Sequence, residues 1–257
     1  MDITNLLIDS IKNKSPISFS KYGDGEYFCA ASYPGGNCDN DLYTEKKKNG
    51  LLASFKYMVD ELPNSYIGWW DSIPQCEEQN QFWRDHSEKP IKWAQYHSLF
   101  IDGNNNEGKL EMYKTIKYSP LKKIYICNPL LVKAKLLLNI DVMIRVPFNN
   151  WFDNNFDDIL EQIKQSIEPD EQCIIMTSAG MGAKVLIYEL SKLFPNNIYL
   201  DFGSALDKIC TKRTSRGWEP SYEQLMNVVK DIIPQEWDDN IYDPIYEEAK
   251  HKLGIHL

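Results

Sequence analysis

Short apolar runs alternate along the chain with longer segments whose apolar residues recur at helical spacing. Ile3, Leu6, Leu7 and Ile11 fall on one face of a helix over residues 2–12, and a strand is predicted over 17–22. A helical piece over 27–31 gives way to the breaker-rich loop Tyr33-Pro34-Gly35-Gly36-Asn37. The next helix buries Leu51, Leu52, Phe55, Met58, Val59 and Leu62 and ends at Pro63. From there, strand-like runs at 66–70, 92–97, 123–127, 142–146, 172–177 and 198–202 alternate with helical segments at 79–86, 109–118, 130–138, 153–167 and 183–193. Strands separated by helices are the signature of β-α-β units. The pattern predicts a single Rossmann-like α/β domain spanning 1–257, with a mostly parallel sheet of about seven strands and helices on both faces. Cys173-Ile174-Ile175-Met176 is continuously apolar, as a central strand covered on both sides requires. Two amphipathic stretches, 222–233 and 242–253, form a predicted C-terminal helical extension over 221–257. The asparagine-rich loop 102–107 is the one expected excursion, and there is no internal repeat or linker.

Composition narrows the function classes. A chain of 257 residues with 43% hydrophobic and 25% charged residues is globular, neither disordered nor a membrane protein. The formal net charge of −9 repels polyanions on balance and argues against nucleic acid as a partner. A small phosphate-bearing ligand stays compatible, because a bound cation or a helix N-terminus reverses the sign locally. The six cysteines, Cys29, Cys38, Cys76, Cys127, Cys173 and Cys210, show neither a C-x-x-C pair nor zinc spacing, which fits reduced thiols in a cytoplasmic protein. No stretch of about 18 apolar residues occurs, so no transmembrane segment is expected and any membrane contact is peripheral. Nothing in the pattern opposes a homo-oligomer.

In an open parallel sheet, ligands bind at the carboxyl ends of the strands. Polar or small residues follow each predicted strand: Gly23-Asp24-Gly25-Glu26, then Asp71, His97-Ser98, Asn128, Asn149-Asn150, the Thr177-to-Gly182 stretch, and Asp201-Phe202-Gly203-Ser204. Loops are polar anyway, yet the repetition over every strand end favours a site. Asp24 and Glu26, each preceded by a glycine, suit a hard cation such as Mg²⁺ or Mn²⁺; the plainer reading is a solvated Asp-Gly turn. Gly180 and Gly182 open a helix and can point backbone N–H groups at an anion. The dinucleotide fingerprint is only partial there: a third glycine is missing, although Asp201 stands where its acid belongs. Lys208, Lys212, Arg213 and Arg216 form a basic run that reads either as a solvated face or, at Arg216-Gly217-Trp218, as a contact to phosphate or sugar.

Ser18-Phe19-Ser20-Lys21-Tyr22-Gly23-Asp24-Gly25-Glu26 resembles the S-x-x-R-x-G-D-G-E opening of the GT-D-fold glycosyltransferases, first catalogued as a domain of unknown function. Val146-Pro147-Phe148-Asn149-Asn150-Trp151-Phe152 is similar to that family's proline-then-asparagine-aromatic segment. The stretch from Ser178 to Leu190, with Asp201-Phe202-Gly203-Ser204, is similar to its G-P-x-A-K-V-L-x-x-x-L and D-x-G block. The likeness runs from residue 17 to about 207. It departs at Lys21 in place of arginine, at Gly180-Met181-Gly182 in place of G-P, and at Ser204 in place of the histidine of D-I-G-H-x-D. The resemblance implies a metal-dependent glycosyltransferase in which Asp24 and Glu26 hold Mn²⁺ or Mg²⁺ on the diphosphate of a nucleotide sugar, most simply a UDP-sugar, and the acceptor is a glycan or glycoconjugate. It places Lys21, Tyr22, Gly23, Gly25, Asn150, Ser178, Gly180, Gly182, Lys184, Asp201 and Ser204 around the donor, with Arg216 added from the basic run. An inverting transfer also needs a base near the acceptor, for which Asp207, Asp71 and His97 are candidates in that order. Two alternatives remain. One is a methyltransferase or oxidoreductase using the Gly180 loop. The other is a non-catalytic glycan binder, suggested by 7 tryptophans and 15 tyrosines.

Overall fold

A computed structural model describes residues 1–37, 41–69, 76–148, 150–212 and 218–237. Its strands are β1 (Ile17–Lys21), β2 (Ser65–Trp69), β3 (Trp93–Gln95), β4 (Lys122–Cys127), β5 (Val142–Arg145), β6 (Cys173–Ser178) and β7 (Ile198–Asp201). They form one sheet in the order β3-β2-β1-β7-β6-β4-β5, and every pairing is parallel. The helices are α1 (Thr4–Lys12), α2 (Asp24–Ala30), α3 (Glu45–Asp60), α4 (Glu77–Asp85), α5 (Asn106–Tyr118), α6 (Ala134–Leu138), α7 (Trp151–Gln165), α8 (Gly182–Leu193), α9 (Asp207–Thr211) and α10 (Tyr222–Val229).

Side chains alternate across the sheet, so β6, buried along its whole length, feeds two cores. Ile174 and Met176 pack with Leu7 of α1 and Met112, Tyr113 and Ile116 of α5. Cys173 and Ile175 pack with Leu51 and Phe55 of α3, Phe152 of α7 and Leu186 of α8. Helices therefore cover both faces, as the continuous apolar run of β6 requires.

Most predicted elements are present, and the differences have local causes. The helix expected from residue 27 begins at Asp24, because acidic Asp24 and Glu26 suit a helix N-terminus and the Glu26 carboxylate accepts the Gly23 N–H at 2.8 Å. Asp24 and Glu26 thus belong to a helix and not to a free turn. The strand expected over 92–97 closes at Gln95, and a turn carries Tyr96, His97 and Ser98. The helix expected over 130–138 divides into a 3₁₀ turn, Pro129–Leu131, and α6; the Asn128 side chain caps the turn by accepting the Leu130 N–H at 2.9 Å. At the tail, Ser221 and Gln224 form a capping box that starts α10, while the stretch 242–253 lies outside the described residues.

Strand order places the site. From β1 the chain builds outward through β2 to β3, then crosses to the other half of the sheet and returns to β1 through β6 and β7. The reversal lies between β1 and β7, which is where an open α/β sheet offers a crevice at its carboxyl end. One wall of that crevice, which includes residues 36–37 and 41–44, is fastened by a buried cluster. Lys47 Nζ lies 2.8 Å from Asp41, 3.0 Å from Asp153 and 2.7 Å from the Leu42 carbonyl. Asn150, in the left-handed region at φ 53°, donates its N–H to Asp41 and accepts the Leu42 N–H, both at 3.0 Å. Expected as a donor contact, Asn150 instead fastens this wall to the start of α7.

Lys47→Met removes the ammonium from two largely buried carboxylates and should lower the unfolding free energy by about 3 kcal/mol, read as a shift of the urea midpoint. A loss below about 1 kcal/mol would mean the cluster does not hold the wall.

Candidate active site

Three strand ends supply the floor of the crevice. Lys21 closes β1; its N–H donates to Asp201 Oδ2 at 3.0 Å and its Nζ to the Phe202 carbonyl at 2.6 Å. The ammonium sits 4.6 Å from the centre of the Phe100 ring and 5.0 Å from that of Tyr96, a cation–π arrangement. Gly203 follows in the left-handed region at φ 51°, and any side chain there would collide with the Lys21 amine. Burial pushes the Lys21 pKa down to about 8, against the opposing pull of Asp201.

Lys184, in the first turn of α8, is buried and lies 2.8 Å from Glu26 Oε1, 3.0 Å from Asp201 Oδ2 and 3.2 Å from the Gly180 carbonyl. Burial works against its charge, but Asp201 and Glu26 more than offset this and hold its pKa above the ordinary lysine value. Both Glu26 oxygens are engaged, Oε1 by Lys184 and Oε2 by the Gly23 N–H. Asp24 is exposed at the mouth, with Oδ1 accepting the Gly25 N–H at 3.0 Å. Ser178 ends β6 and is held by the Tyr125 hydroxyl at 2.7 Å. Ser204 and Asp207 also line the crevice, Asp207 at the first position of α9.

These side chains bound a cleft of about 320 Å³. Lys21, Asp24, Gly25, Glu26, Ser178, Gly180, Lys184, Ser204 and Asp207 all line it, nine of the residues singled out from sequence. Its formal charges are two ammoniums, Lys21 and Lys184, against Asp24, Glu26 and Asp207 on the lining and Asp201 beneath. A bare diphosphate meets an excess of negative charge there, whereas a divalent cation brings the set to balance. Among the described residues, no group of three or more His, Cys, Asp or Glu side chains is arranged to enclose a metal. A cation at Asp24 and Glu26 would complete its shell from water and phosphate, which is ordinary for Mg²⁺. The donor set fits in that limited sense, with Asp24 the accessible ligand and Glu26 shared with Lys184.

Other expected contacts sit elsewhere. Tyr22 is fully buried, its hydroxyl 2.9 Å from Ser54 Oγ and its ring against Phe55 and Trp83; residues alternate at the end of β1, so Lys21 faces the crevice and Tyr22 the opposite core. Gly23 carries the N–H that holds Glu26 and packs under Tyr96. Gly182 is a packing glycine, since a Cβ would stand 2.5 Å from the Trp151 indole, whose Nε1 donates to the Ala179 carbonyl at 3.0 Å. Asp201 is fully buried and spends its carboxylate on Lys21, Gly203 and Lys184. With Gly182 filled by an indole and Asp201 unavailable to a ribose, the dinucleotide reading loses both of its anchors. His97 lies beside the cleft, not on its lining: the turn after β3 gives Tyr96 to the cleft and stacks His97 on Trp218 at 4.1 Å. Asp71 and Arg216 lie outside the described residues.

Sequence reasoning missed the aromatic walls, Phe28 and Tyr43 on one side and Tyr96 on the other. Tyr96 adjoins the histidine that drew attention, and Tyr43 follows the breaker loop; position next to a strand end or loop was the available signal.

Because the folded pKa of Lys21 is depressed, its unfavourable contribution is fully present below pH 8 and relieved as pH rises toward 10.5. Unfolding free energy should therefore rise across that window by roughly 3 kcal/mol from this residue, and Lys21→Met should flatten the rise. An NMR titration of the Lys21 amine with a midpoint near that of surface lysines would contradict it. Gly182→Ala should destabilise by about 1–3 kcal/mol through the clash with Trp151, measured by denaturant melts.

No protein-family profile matches the chain, and no curated protein matches it in sequence. Solved structures do. A selenomethionine-substituted structure of the domain of unknown function 1792 superposes with a TM-score of 0.56 at 17% identity, covering 95% of this chain and 92% of that one. A second structure, reported to show that this domain has a distinct glycosyltransferase fold, matches with a TM-score of 0.56 at 16% identity over the same shares. A glycosyltransferase of this domain from Streptococcus sanguinis matches with a TM-score of 0.61 at 14% identity, covering 95% of each chain. Likeness at such identities is likeness of fold, and the fold of this chain is that distinct glycosyltransferase fold.

Proposed function

We propose that the chain is a metal-dependent glycosyltransferase that binds a nucleotide sugar, most simply a UDP-sugar, in the crevice and passes the sugar to a hydroxyl of a glycan or glycoconjugate. The observation that carries this reading is the meeting of Asp24, Glu26, Lys21, Lys184, Ser178, Ser204 and Asp207 in one cleft at the sheet's reversal point. Asp24 and Glu26 would hold Mn²⁺ or Mg²⁺, which would supply neutralisation of the leaving diphosphate.

The chain's own groups do the rest. Lys21 and Lys184 give fixed positive charge at the floor, already oriented by Phe202, Asp201 and Glu26, so little reorganisation accompanies the reaction. Ser178 and Ser204 offer hydroxyls to the donor. Asp207, on the cleft lining, is the base: as the acceptor oxygen bonds to the anomeric carbon and the bond to diphosphate breaks, a carboxylate oxygen of Asp207 takes the hydroxyl proton.

Thermal melts with UDP and Mn²⁺ together should show a rise that chelation abolishes and that Asp24→Ala with Glu26→Ala eliminates; UDP affinity indifferent to chelator rejects the metal site. Asp207→Asn should lower turnover by about 100-fold or more with UDP affinity held within about twofold. A smaller loss would move the base elsewhere.

A further inference from the structure

Trp218 is 41% exposed, yet the ring is held in place. It stacks on the His97 imidazole at 4.1 Å and 34°, with Phe100 at 5.3 Å. His97 Nδ1 lies 3.5 Å from Asp102, which Lys109 fixes from the other side at 2.7 Å. The cluster is continuous with the cleft by two routes. His97 and Phe100 both pack against Tyr96, which lines it. Lys208 Nζ, on the residue after Asp207 of the lining, donates to the Glu219 carbonyl at 3.5 Å and so ties the segment carrying Trp218 to α9.

We propose that Trp218 is the platform on which the acceptor carbohydrate stacks beside the cleft. A pyranose ring has a C–H face that packs on an indole and hydroxyls that remain in water. A half-open aromatic ring stacked on the polar His97 imidazole offers both environments, where a purely apolar ligand would need deeper enclosure. The segment carrying Trp218 is tied through Lys208 to α9, whose first residue Asp207 lines the cleft, while Asp24, Glu26 and Lys184 mark the diphosphate end, so its sugar is assigned to the acceptor and not the donor. This assignment rests on reading the crevice as a sugar-transfer site.

The test probes the full chain and its variants on an array of immobilised oligosaccharides, with UDP–Mn²⁺ binding measured by calorimetry in parallel. The wild-type chain should bind at least one class of glycan, Trp218→Ala should weaken that binding by about tenfold or more, and Trp218→Phe should retain most of it. UDP affinity should stay within about twofold throughout. His97→Ala, which removes the support under the ring, should weaken glycan binding in the same direction. No glycan bound by the wild-type chain, or equal binding by Trp218→Ala, overturns the proposal, as does a Trp218→Ala variant that loses UDP, since the ring would then serve the donor base. Glycan binding lost in Trp218→Ala while UDP binds to no variant leaves the platform standing and removes the transferase reading.

Discussion

The bridge from Lys184 to Glu26 and Asp201 is the constraint on which the crevice depends. One buried ammonium joins the first turn of α8 to α2 and to the end of β7, three elements far apart in sequence. Taking such charges out of water opposes folding, and a buried ion pair is weak evidence for stability in itself. What the bridge provides is position. Asp201 also accepts the backbone N–H of Lys21, and Glu26 that of Gly23, so the same carboxylates fix the end of β1 and the entry to α2. Without Lys184 they would be adjacent negative charges with no partner between them. The floor of the site and the junction of the two halves of the sheet are thus one network.

Rigidity on the two walls comes from different chemistry. The wall that includes residues 36–37 and 41–44 hangs on Lys47, a second buried ammonium shared between Asp41 and Asp153, while the opposite wall is Tyr96, backed outside the cleft by Phe100, His97 and Trp218. Lys21 stands between floor and rings, within cation–π reach of two of them. The polyanionic donor proposed for this cleft would lie near carboxylates and would need positive charges fixed in advance, because mobile lysines would pair with the acids and leave it unsupported. Here each ammonium is tied to a carbonyl or carboxylate before any ligand arrives.

Apolar periodicity reads well where both sides of an element are covered: β6 and α8 stand where their patterns place them, and the alternation with helices leads to a parallel sheet whose reversal point predicts the site edge. The D-x-E pair, Lys184 and Asp207 were legible for the same reason, since they follow strand ends. The failures share a cause as well. Tyr22, Asn150 and Gly182 belong to motif-like stretches, but a motif in sequence does not say which way each side chain turns. Alternation sends Tyr22 into the core, Trp151 occupies the space that Gly182 leaves, and Asn150 answers to Asp41 and Leu42, contacts across more than a hundred residues that no local pattern records.

Lysine at position 21, where the resembling family has arginine, changes what the site can do. A guanidinium stays charged at any pH relevant to folding, whereas a buried amine with a pKa of about 8 gives up its proton under mildly basic conditions. With Lys21 charged, the formal balance of the cleft and its floor is two ammoniums against four carboxylates; with Lys21 neutral it is one against four. In the proposed donor complex, rising pH would therefore strengthen the pull on a divalent cation while withdrawing positive charge from the diphosphate. The two effects oppose each other, so donor binding through a cation should be less sensitive to pH than the depressed pKa alone suggests, whereas any contact that a phosphate makes to Lys21 directly should weaken across the same interval. The Phe202 carbonyl, which the amine already meets at 2.6 Å, keeps the side chain in place in either state, so the residue can change charge without leaving its position.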